Sequence, residues 1–202
     1  MQPQTFIFFG PSGSGKGTQA KLLMAQIQKR DPENPVLYLE TGERHREFAK
    51  SDSLTARKTK EVIEAGGLMP EFIPVWLWTQ FFIDNIKTGE EHIILDGISR
   101  RSHEALIIDS ALQFYKRKNP VVLSIEVSPE WAIDKLEKRS EIENRLDDKE
   151  EEIKKRMAWY ENNVVPALEH FKNNPYYKFI SINGEQSIPD VHREILEKIG
   201  FK

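Results

Sequence analysis

The chain of 202 residues contains no cysteine. This absence excludes disulfide bonds and metal sites built on thiolate ligands, such as a cysteine-held zinc centre. A basic surplus is also missing, because 29 lysines and arginines stand against 32 acidic residues, for a net charge of −3. A nucleic-acid-binding surface is usually rich in positive charge, so this balance predicts a protein with no nucleic-acid partner.

Long apolar runs are missing as well. No segment approaches the roughly 20 apolar residues that a helix needs to cross a membrane. The apolar run at residues 6–9 is too short for a secretory signal, and no basic residue precedes it. With 39% hydrophobic and 30% charged residues, the composition is ordinary for a globular domain. We therefore predict one cytoplasmic domain over residues 1–202, with no membrane partner.

Short apolar runs alternate along the chain with longer segments of helical periodicity. The apolar runs are typical of buried parallel strands and cover residues 5–9, 36–39, 92–95, 121–127 and 178–182. Helices are predicted at residues 16–30, 43–50, 53–65, 71–87, 102–118, 129–138, 148–172 and 188–199. This alternation predicts an α/β fold with a five-stranded parallel sheet and helices on both faces.

Two segments fall outside the alternation. Residues 42–74 are helical without an intervening strand, which predicts a helical insertion. Residues 139–147 are polar and lack periodicity, which predicts a mobile loop. Both are expected at the carboxyl edge of the parallel strands, where sheets of this kind bind their ligands.

A glycine-rich segment at residues 10–16 (GPSGSGK) lies between the first predicted strand and the first predicted helix. It matches the GxxxxGK pattern, in which backbone N–H groups and a helix N-terminus surround phosphates and the lysine adds a positive charge. The segment therefore predicts a binding site for the phosphates of ATP. The residues expected there are Gly10, Ser12, Gly13, Ser14, Gly15, Lys16, Gly17 and Thr18.

Gly17 departs from the general form of this pattern, which has serine or threonine there as a magnesium ligand. The hydroxyl occurs one residue later, at Thr18. We therefore expect Mg²⁺ to be held mainly by nucleotide oxygens and waters, with a carboxylate orienting those waters. Asp96, which ends the third predicted strand, is the candidate, and a helix-capping role is its alternative.

The segment GKGTQ at residues 15–19 resembles the adenylate kinase family of nucleoside monophosphate kinases. Four further segments resemble this family in the same order along the chain. They are TGERHR at 41–46, GGLMP at 66–70, LDGISR at 95–100, and the spaced pattern R…RLDD…R between 139 and 156. The resemblance implies a P-loop NTPase-type three-layer fold. It also implies reversible, Mg²⁺-dependent transfer of the γ-phosphoryl group of ATP to a nucleoside monophosphate.

The resemblance assigns roles to individual residues as well. Phosphoryl transfer depends on positioning and on neutralising charge, so several cations must converge on one pocket. Arg46 and Arg100 are similar to the pair that binds the acceptor α-phosphate, together with Thr41, Gly42 and Gly97. The arginines implied to contact the transferred group are Arg139, Arg145 and Arg156, and the paired aspartates of the lid are Asp147 and Asp148. Gln186 falls at the donor adenine.

The same resemblance divides the chain into parts. The acceptor-binding lobe spans residues 42–74, with the backbone of Leu68 and Met69 beside the acceptor base. A short lid spans residues 139–148, and the remaining residues 1–41, 75–138 and 149–202 form the core. We expect a monomer whose partners are small nucleotides.

Glu104 departs from the family pattern, since adenylate kinases carry glutamine four residues after the arginine that corresponds to Arg100. A glutamine amide donates to adenine N1 and accepts from N6, whereas an ionised carboxylate only accepts. AMP remains the favoured acceptor if Glu104 is protonated or other groups read the base. GMP is the alternative, because guanine offers two donors to a carboxylate. A nucleotide-binding module without turnover is a further alternative.

Ser99 also departs from the pattern, because the family has proline before this arginine. Losing that rigid residue is expected to loosen the turn that aims Arg100.

Overall fold

The computed structural model describes residues 1–143 and 150–201. The strands are β1 (Thr5–Phe9), β2 (Val36–Glu40), β3 (His92–Asp96), β4 (Val121–Glu126) and β5 (Lys178–Asn183). They form one parallel sheet in the order β2-β3-β1-β4-β5. The five predicted strands are confirmed, and each ends within one residue of its predicted position.

The helices follow the strands in the predicted alternation. They are α1 (Lys16–Arg30), α2 (Thr41–Phe48), α3 (Leu54–Glu64), α4 (Phe72–Asn85), α5 (Ser102–Phe114), α6 (Pro129–Glu143), α7 (Glu150–Trp159), α8 (Val165–Asn173) and α9 (Ile188–Ile199). A π-helical turn, Tyr160–Val164, joins α7 to α8. No helix in the described part of the chain is both long enough and apolar enough to cross a membrane.

The hydrophobic core lies on both faces of the sheet, because successive side chains of a strand point to opposite faces. In β1, Phe6 and Phe8 pack with α1 and α9, including Leu23 and Ile195. Ile7 and Phe9 point the other way and pack with α4, α5 and α8, whose buried members include Trp78, Ile108 and Phe171. This is the three-layer α/β fold that the alternation predicts.

Three helix predictions need correction. Helix α6 continues to Glu143, so residues 139–143 are helical and the predicted loop was wrong over them, while residues 144–147 of that loop lie outside the described residues. The predicted helix at 148–172 is divided by the π-helical turn. Helix α5 ends at Phe114 rather than 118, because Lys116 takes a left-handed φ of 52° and the Arg117 N–H closes on the Leu112 carbonyl.

The register of the strands decides what meets at the carboxyl edge of the sheet. Asp96, the last residue of β3, pairs with Glu40 of β2 on one side and with Phe8 of β1 on the other. The glycine-rich segment follows β1 directly and leads into α1. A phosphate-binding segment and two carboxylates therefore lie together at one edge.

Candidate active site

A cleft of about 550 Å³ opens at the carboxyl edge of the sheet, a size typical of small-molecule sites. Residues 12–19 and Lys21 form its floor. One wall consists of Glu40, Gly42, Arg46, Asp96, Gly97 and Arg100. The opposite wall consists of Trp131, Lys135, Leu136, Arg139, Arg156, Gly184, Gln186, Ser187, Ile188 and Val191.

The glycine-rich loop needs glycine where the chain turns against its neighbours. Gly13 has a φ of 89°, and a Cβ there would lie 2.4 Å from the Ala132 carbonyl oxygen. Gly10 has a φ of 147°, and a Cβ there would lie 2.7 Å from the Ile125 carbonyl oxygen. The turn is closed by the Ser14 N–H, which donates to the Pro11 carbonyl at 3.2 Å. The loop leads into the N-terminus of α1, where free N–H groups favour an anion.

Lys16 lies at the centre of a cluster of charges. Its Nζ donates to the Pro11 carbonyl at 3.2 Å. Burial lowers the pKa of Lys16 to about 8, the carboxylate of Asp96 opposes this, and the guanidinium groups of Arg100, Arg156 and Arg139 add to it. Four cations and one carboxylate therefore lie close together, and this arrangement suits a polyanion such as a nucleoside triphosphate.

Arg156 connects α7 to the glycine-rich loop. Its Nη2 donates to Ser12 Oγ at 2.6 Å. Arg139 of α6 borders the cleft on the same side. Arg145, Asp147 and Asp148, the other residues assigned to the lid, lie outside the described residues.

Asp96 is buried, with 4% of its surface exposed. The Tyr38 hydroxyl donates to its Oδ2 at 3.3 Å, and burial raises the pKa of Asp96 against the opposing charge of Lys16. Gly17 faces this carboxylate, and a Cβ at Gly17 would lie 3.2 Å from Asp96 Oδ2. The missing side chain leaves room beside a carboxylate, and this fits a hydrated Mg²⁺ ion bound mainly by nucleotide oxygens and waters.

Arg46 and Arg100 reach the cleft from different elements. Arg46 Nη2 lies 3.1 Å from Glu40 Oε1, and Arg100 Nε donates to the Gly97 carbonyl at 3.2 Å. Sequence reasoning missed Glu40, although a carboxylate at the end of a strand beside Asp96 was a signal that could have identified it. Glu40 keeps the side chain of Arg46 oriented along the wall of the cleft.

Helix α2 carries two buried polar side chains on one face, Thr41 and His45. Neither Thr41 Oγ1 nor His45 Nε2 has a hydrogen-bond partner in the described part of the protein. Burial, together with Arg100 and Arg46, lowers the pKa of His45 to about 3, so its imidazole is neutral at pH 7. Thr41 lies between two residues that border the cleft, Glu40 and Gly42, but does not border it itself. Sequence reasoning did not identify the buried His45.

Glu104 is almost fully buried and is not part of the cleft wall. Its Oε2 accepts a hydrogen bond from the backbone N–H of Arg100 at 2.6 Å. Burial raises the pKa of Glu104, whereas the hydrogen bond and charge of Arg100 lower it. The carboxyl group thus supports the backbone from which Arg100 extends.

The turn before Arg100 explains the loss of proline in this chain. Ser99 has a φ of 55°. Proline is fixed at a φ of about −65° and cannot adopt this conformation. The turn is therefore one that a proline could not form.

The remaining predicted site residues lie at the two ends of the site. Gln186 borders the cleft near β5, where its Nε2 donates to the Asn183 carbonyl at 2.9 Å. Leu68 and Met69 do not border the cleft, and the Met69 carbonyl instead accepts from Arg101 Nη1 at 2.6 Å. The structure thus brings most of the predicted phosphate-binding residues together, while the residues predicted for the acceptor base lie beyond the cleft wall.

Comparison with known proteins gives a consistent result. The family model described as "Adenylate kinase" matches residues 8–176. The chain is 31% identical over 198 residues to an adenylate kinase of Rhodopirellula baltica, covering 96% of this chain and 94% of that protein. It is 29% identical over 212 residues to an adenylate kinase of Ureaplasma urealyticum, covering 94% and 95%. It is 26% identical over 197 residues to adenylate kinase isoenzyme 1 of Caenorhabditis elegans, covering 98% and 87%.

Proposed function

Because this chain belongs to the adenylate kinase family, and is thus a nucleoside monophosphate kinase, we propose that its favoured acceptor is AMP. The reaction is the reversible, Mg²⁺-dependent transfer of the ATP γ-phosphoryl group to AMP, which gives two ADP. The observation that carries phosphoryl transfer is the convergence of Lys16, Arg100, Arg139 and Arg156 beside Asp96 in one cleft, and the choice of AMP follows the adenylate kinase relatives.

On the donor side, the glycine-rich loop and the N-terminus of α1 bind the phosphates of ATP, with Lys16 against the β- and γ-phosphates. Arg156 and Arg139 neutralise the charge that spreads over the transferred group. Arg145, Asp147 and Asp148 are proposed as further functional residues of the lid. Asp96 would hold waters of a bound Mg²⁺ ion, and the ion would supply positive charge to the phosphates.

On the acceptor side, Arg46 and Arg100 bind the α-phosphate of the nucleoside monophosphate. Arg46 is oriented by Glu40 at 3.1 Å, and Arg100 by the Gly97 carbonyl at 3.2 Å. Two guanidinium groups held in this way fix the attacking phosphate with little further loss of side-chain conformational entropy. Thr41, Gly42 and Gly97 complete this side of the site.

Glu104 does not border the cleft, and its Oε2 accepts from the Arg100 N–H; we propose that its carboxyl group reads the base in the neutral form once a nucleoside monophosphate is bound. A neutral carboxyl has one O–H donor for adenine N1 and one oxygen that accepts from N6, as a glutamine amide does. Burial of Glu104 supports this form because it raises the pKa of the group. The second candidate acceptor is GMP, which the replacement of glutamine by Glu104 favours if the carboxyl is ionised.

The division into an acceptor-binding lobe at 42–74, a short lid at 139–148 and a core is also proposed, as is a monomeric enzyme. The direct succession of β2, α2 and α3 without an intervening strand supports the lobe.

The acceptor profile tests the proposal directly. We expect turnover of Mg-ATP with AMP at a higher kcat/KM than with GMP, CMP, UMP or the deoxy forms, measured by a coupled assay for ADP. A higher kcat/KM with GMP would replace AMP by the second candidate. Tight ATP binding without turnover of any acceptor would contradict the enzyme and favour a nucleotide-binding module.

Replacing Glu104 with glutamine tests how the base is read. In the wild-type enzyme, the neutral fraction of Glu104 grows as pH falls towards its raised pKa, with Glu71 adding to the shift and Arg100 and Arg101 opposing it. The ratio of kcat/KM for AMP to that for GMP should therefore rise as pH falls towards the raised pKa of Glu104. Glu104→Gln should raise this ratio and make it independent of pH.

The matched control for this experiment is Glu61→Gln, because Glu61 is an exposed residue of α3. It should leave both the ratio and its pH dependence as in the wild type. An acceptor ratio unchanged by Glu104→Gln would show that other groups read the base.

A further inference from the structure

Residues 66–69 connect α3 to α4, and two side chains from other parts of the fold bind the two ends of this connection. At one end, Trp159 Nε1 donates to the Gly66 carbonyl at 3.1 Å. At the other end, Arg101 Nη1 donates to the Met69 carbonyl at 2.6 Å. A backbone segment held at both ends by donors from distant elements has little freedom to shift.

Both donors adjoin Arg100. The guanidinium carbon of Arg100 lies 5.3 Å from the centre of the Trp159 ring, within the range of a cation–π contact. Arg101 follows Arg100 in the chain and starts α5 as its N-cap residue. The connection at 66–69 is therefore linked to Arg100 along two separate routes.

The connection at 66–69 is also tightly packed at Gly66. Gly66 is buried with a φ of 62°, and a Cβ there would lie 2.8 Å from Glu152 Cβ and 3.0 Å from Glu152 Cα. Helix α7 thus rests directly on this glycine, and the Trp159 indole reaches its carbonyl from the last residue of the same helix. The π-helical turn begins at the next residue, and such turns are frequent at functional sites.

We propose that Trp159 and Arg101 are positioning residues of the acceptor site, which fix the separation between the connection at 66–69 and Arg100. The inference rests on the proposed function, in which Arg100 binds the acceptor phosphate and the backbone of Leu68 and Met69 lies beside the base. A nucleoside monophosphate is then held at two points, and the distance between them decides how well it binds.

Arg101 makes a second contact beside this connection. Arg101 is partly buried, with 26% of its side chain exposed, and its Nε lies 3.9 Å from Glu71 Oε1. This ion pair also joins α5 to the residue before α4. Arg101 thereby ties the start of α4, as well as the Met69 carbonyl, to the residue next to Arg100.

Two substitutions test the inference. Trp159→Phe keeps an aromatic face for Arg100 and removes the N–H donor, while Arg101→Met keeps the length of the side chain and removes its donors. Each should raise the calorimetric Kd for AMP by about 3- to 10-fold, the loss expected for one hydrogen bond. The Kd for ATP should stay within about 2-fold of the wild type, since the removed hydrogen bonds are made to the Gly66 and Met69 carbonyls and not to the glycine-rich loop.

The matched control is Trp76→Phe, the same change at a half-exposed residue of α4 that makes an edge-to-face contact with Phe48. It should leave both dissociation constants unchanged. A loss of ATP and AMP affinity in equal measure, with a lower melting temperature, would indicate a purely structural role and overturn the inference.

Binding and turnover separate this inference from the proposed function. An unchanged Kd for AMP in both variants, with a wild type that turns AMP over, would overturn the positioning role alone. A wild type that binds AMP without turnover, while the variants bind it more weakly, would support the positioning role and contradict the enzyme. A wild type that binds no nucleoside monophosphate would overturn both.

Discussion

Lys16→Met is expected to lower kcat by about 10³-fold, an effect of the size seen when a charge that stabilises the transition state is removed. Methionine has a similar length but no charge, so the loss reports electrostatics rather than shape. Lys16 is the cation at the start of α1, next to Asp96 and three arginines. The measurement is steady-state turnover of Mg-ATP and AMP.

The matched control is Lys29→Met, since Lys29 is exposed in the last turn of the same helix. It should leave kcat unchanged. If Lys16→Met retained more than about a tenth of wild-type kcat in a folded protein, the assigned role of this lysine in phosphoryl transfer would be wrong.

The pH profile gives an independent view of Lys16 in the wild type. The pKa of Lys16 is lowered to about 8, so the group loses its positive charge in the free enzyme as pH rises through that value. Since the charged form binds phosphate, kcat/KM for ATP should fall above about pH 8, because this ratio reports groups of the free enzyme. Lys16→Met should lack this decline.

Arg156→Met is expected to lower kcat by about 10² to 10³-fold. Arg156 reaches Ser12 at 2.6 Å, so it is held beside the glycine-rich loop that is proposed to bind the donor phosphates. Its charge also lowers the pKa values of Lys16 and Arg100. Removing one of several like charges relieves repulsion, so the melting temperature should not fall with activity.

Lys155→Met serves as the control for this change. Lys155 is an exposed cation of the same helix, and it lies 3.7 Å from Glu152. Normal kcat in Arg156→Met would remove this arginine from the proposed mechanism. A matching loss in Lys155→Met would mean that α7 as a whole, rather than one guanidinium group, is responsible.

Local patterns were sufficient for the strands and for the phosphate-binding loop. The run at β1 followed by GPSGSGK specifies a strand, a turn and a helix within one short stretch, and no distant contact is needed to recognise it. The ends of the helices were harder to predict from the sequence. The extent of α6 to Glu143 and the π-helical turn after Trp159 depend on packing against other elements, which periodicity does not report.

The same distinction, between what the sequence predicts and what only the tertiary structure shows, applies to the candidate site. The sequence by itself predicted which residues would handle phosphate, because Lys16 occurs in a glycine-rich motif, and Arg100 and Arg156 occur in segments that resemble the adenylate kinase family. Only the tertiary structure decided how they are supported. The strand register places Glu40 beside Asp96, and the fold buries Glu104 under the backbone N–H of Arg100.

The link from Trp159 to Gly66 is the clearest case of what the fold adds, since 93 residues separate its two ends. Such contacts depend on how helices and strands pack, and pairs so distant in the chain leave no local pattern. By contrast, the motif at residues 10–18 could be recognised from its local sequence alone. The burial of Glu104, on which its proposed role at the acceptor base depends, required the packed structure, because burial raises the pKa of a carboxyl group.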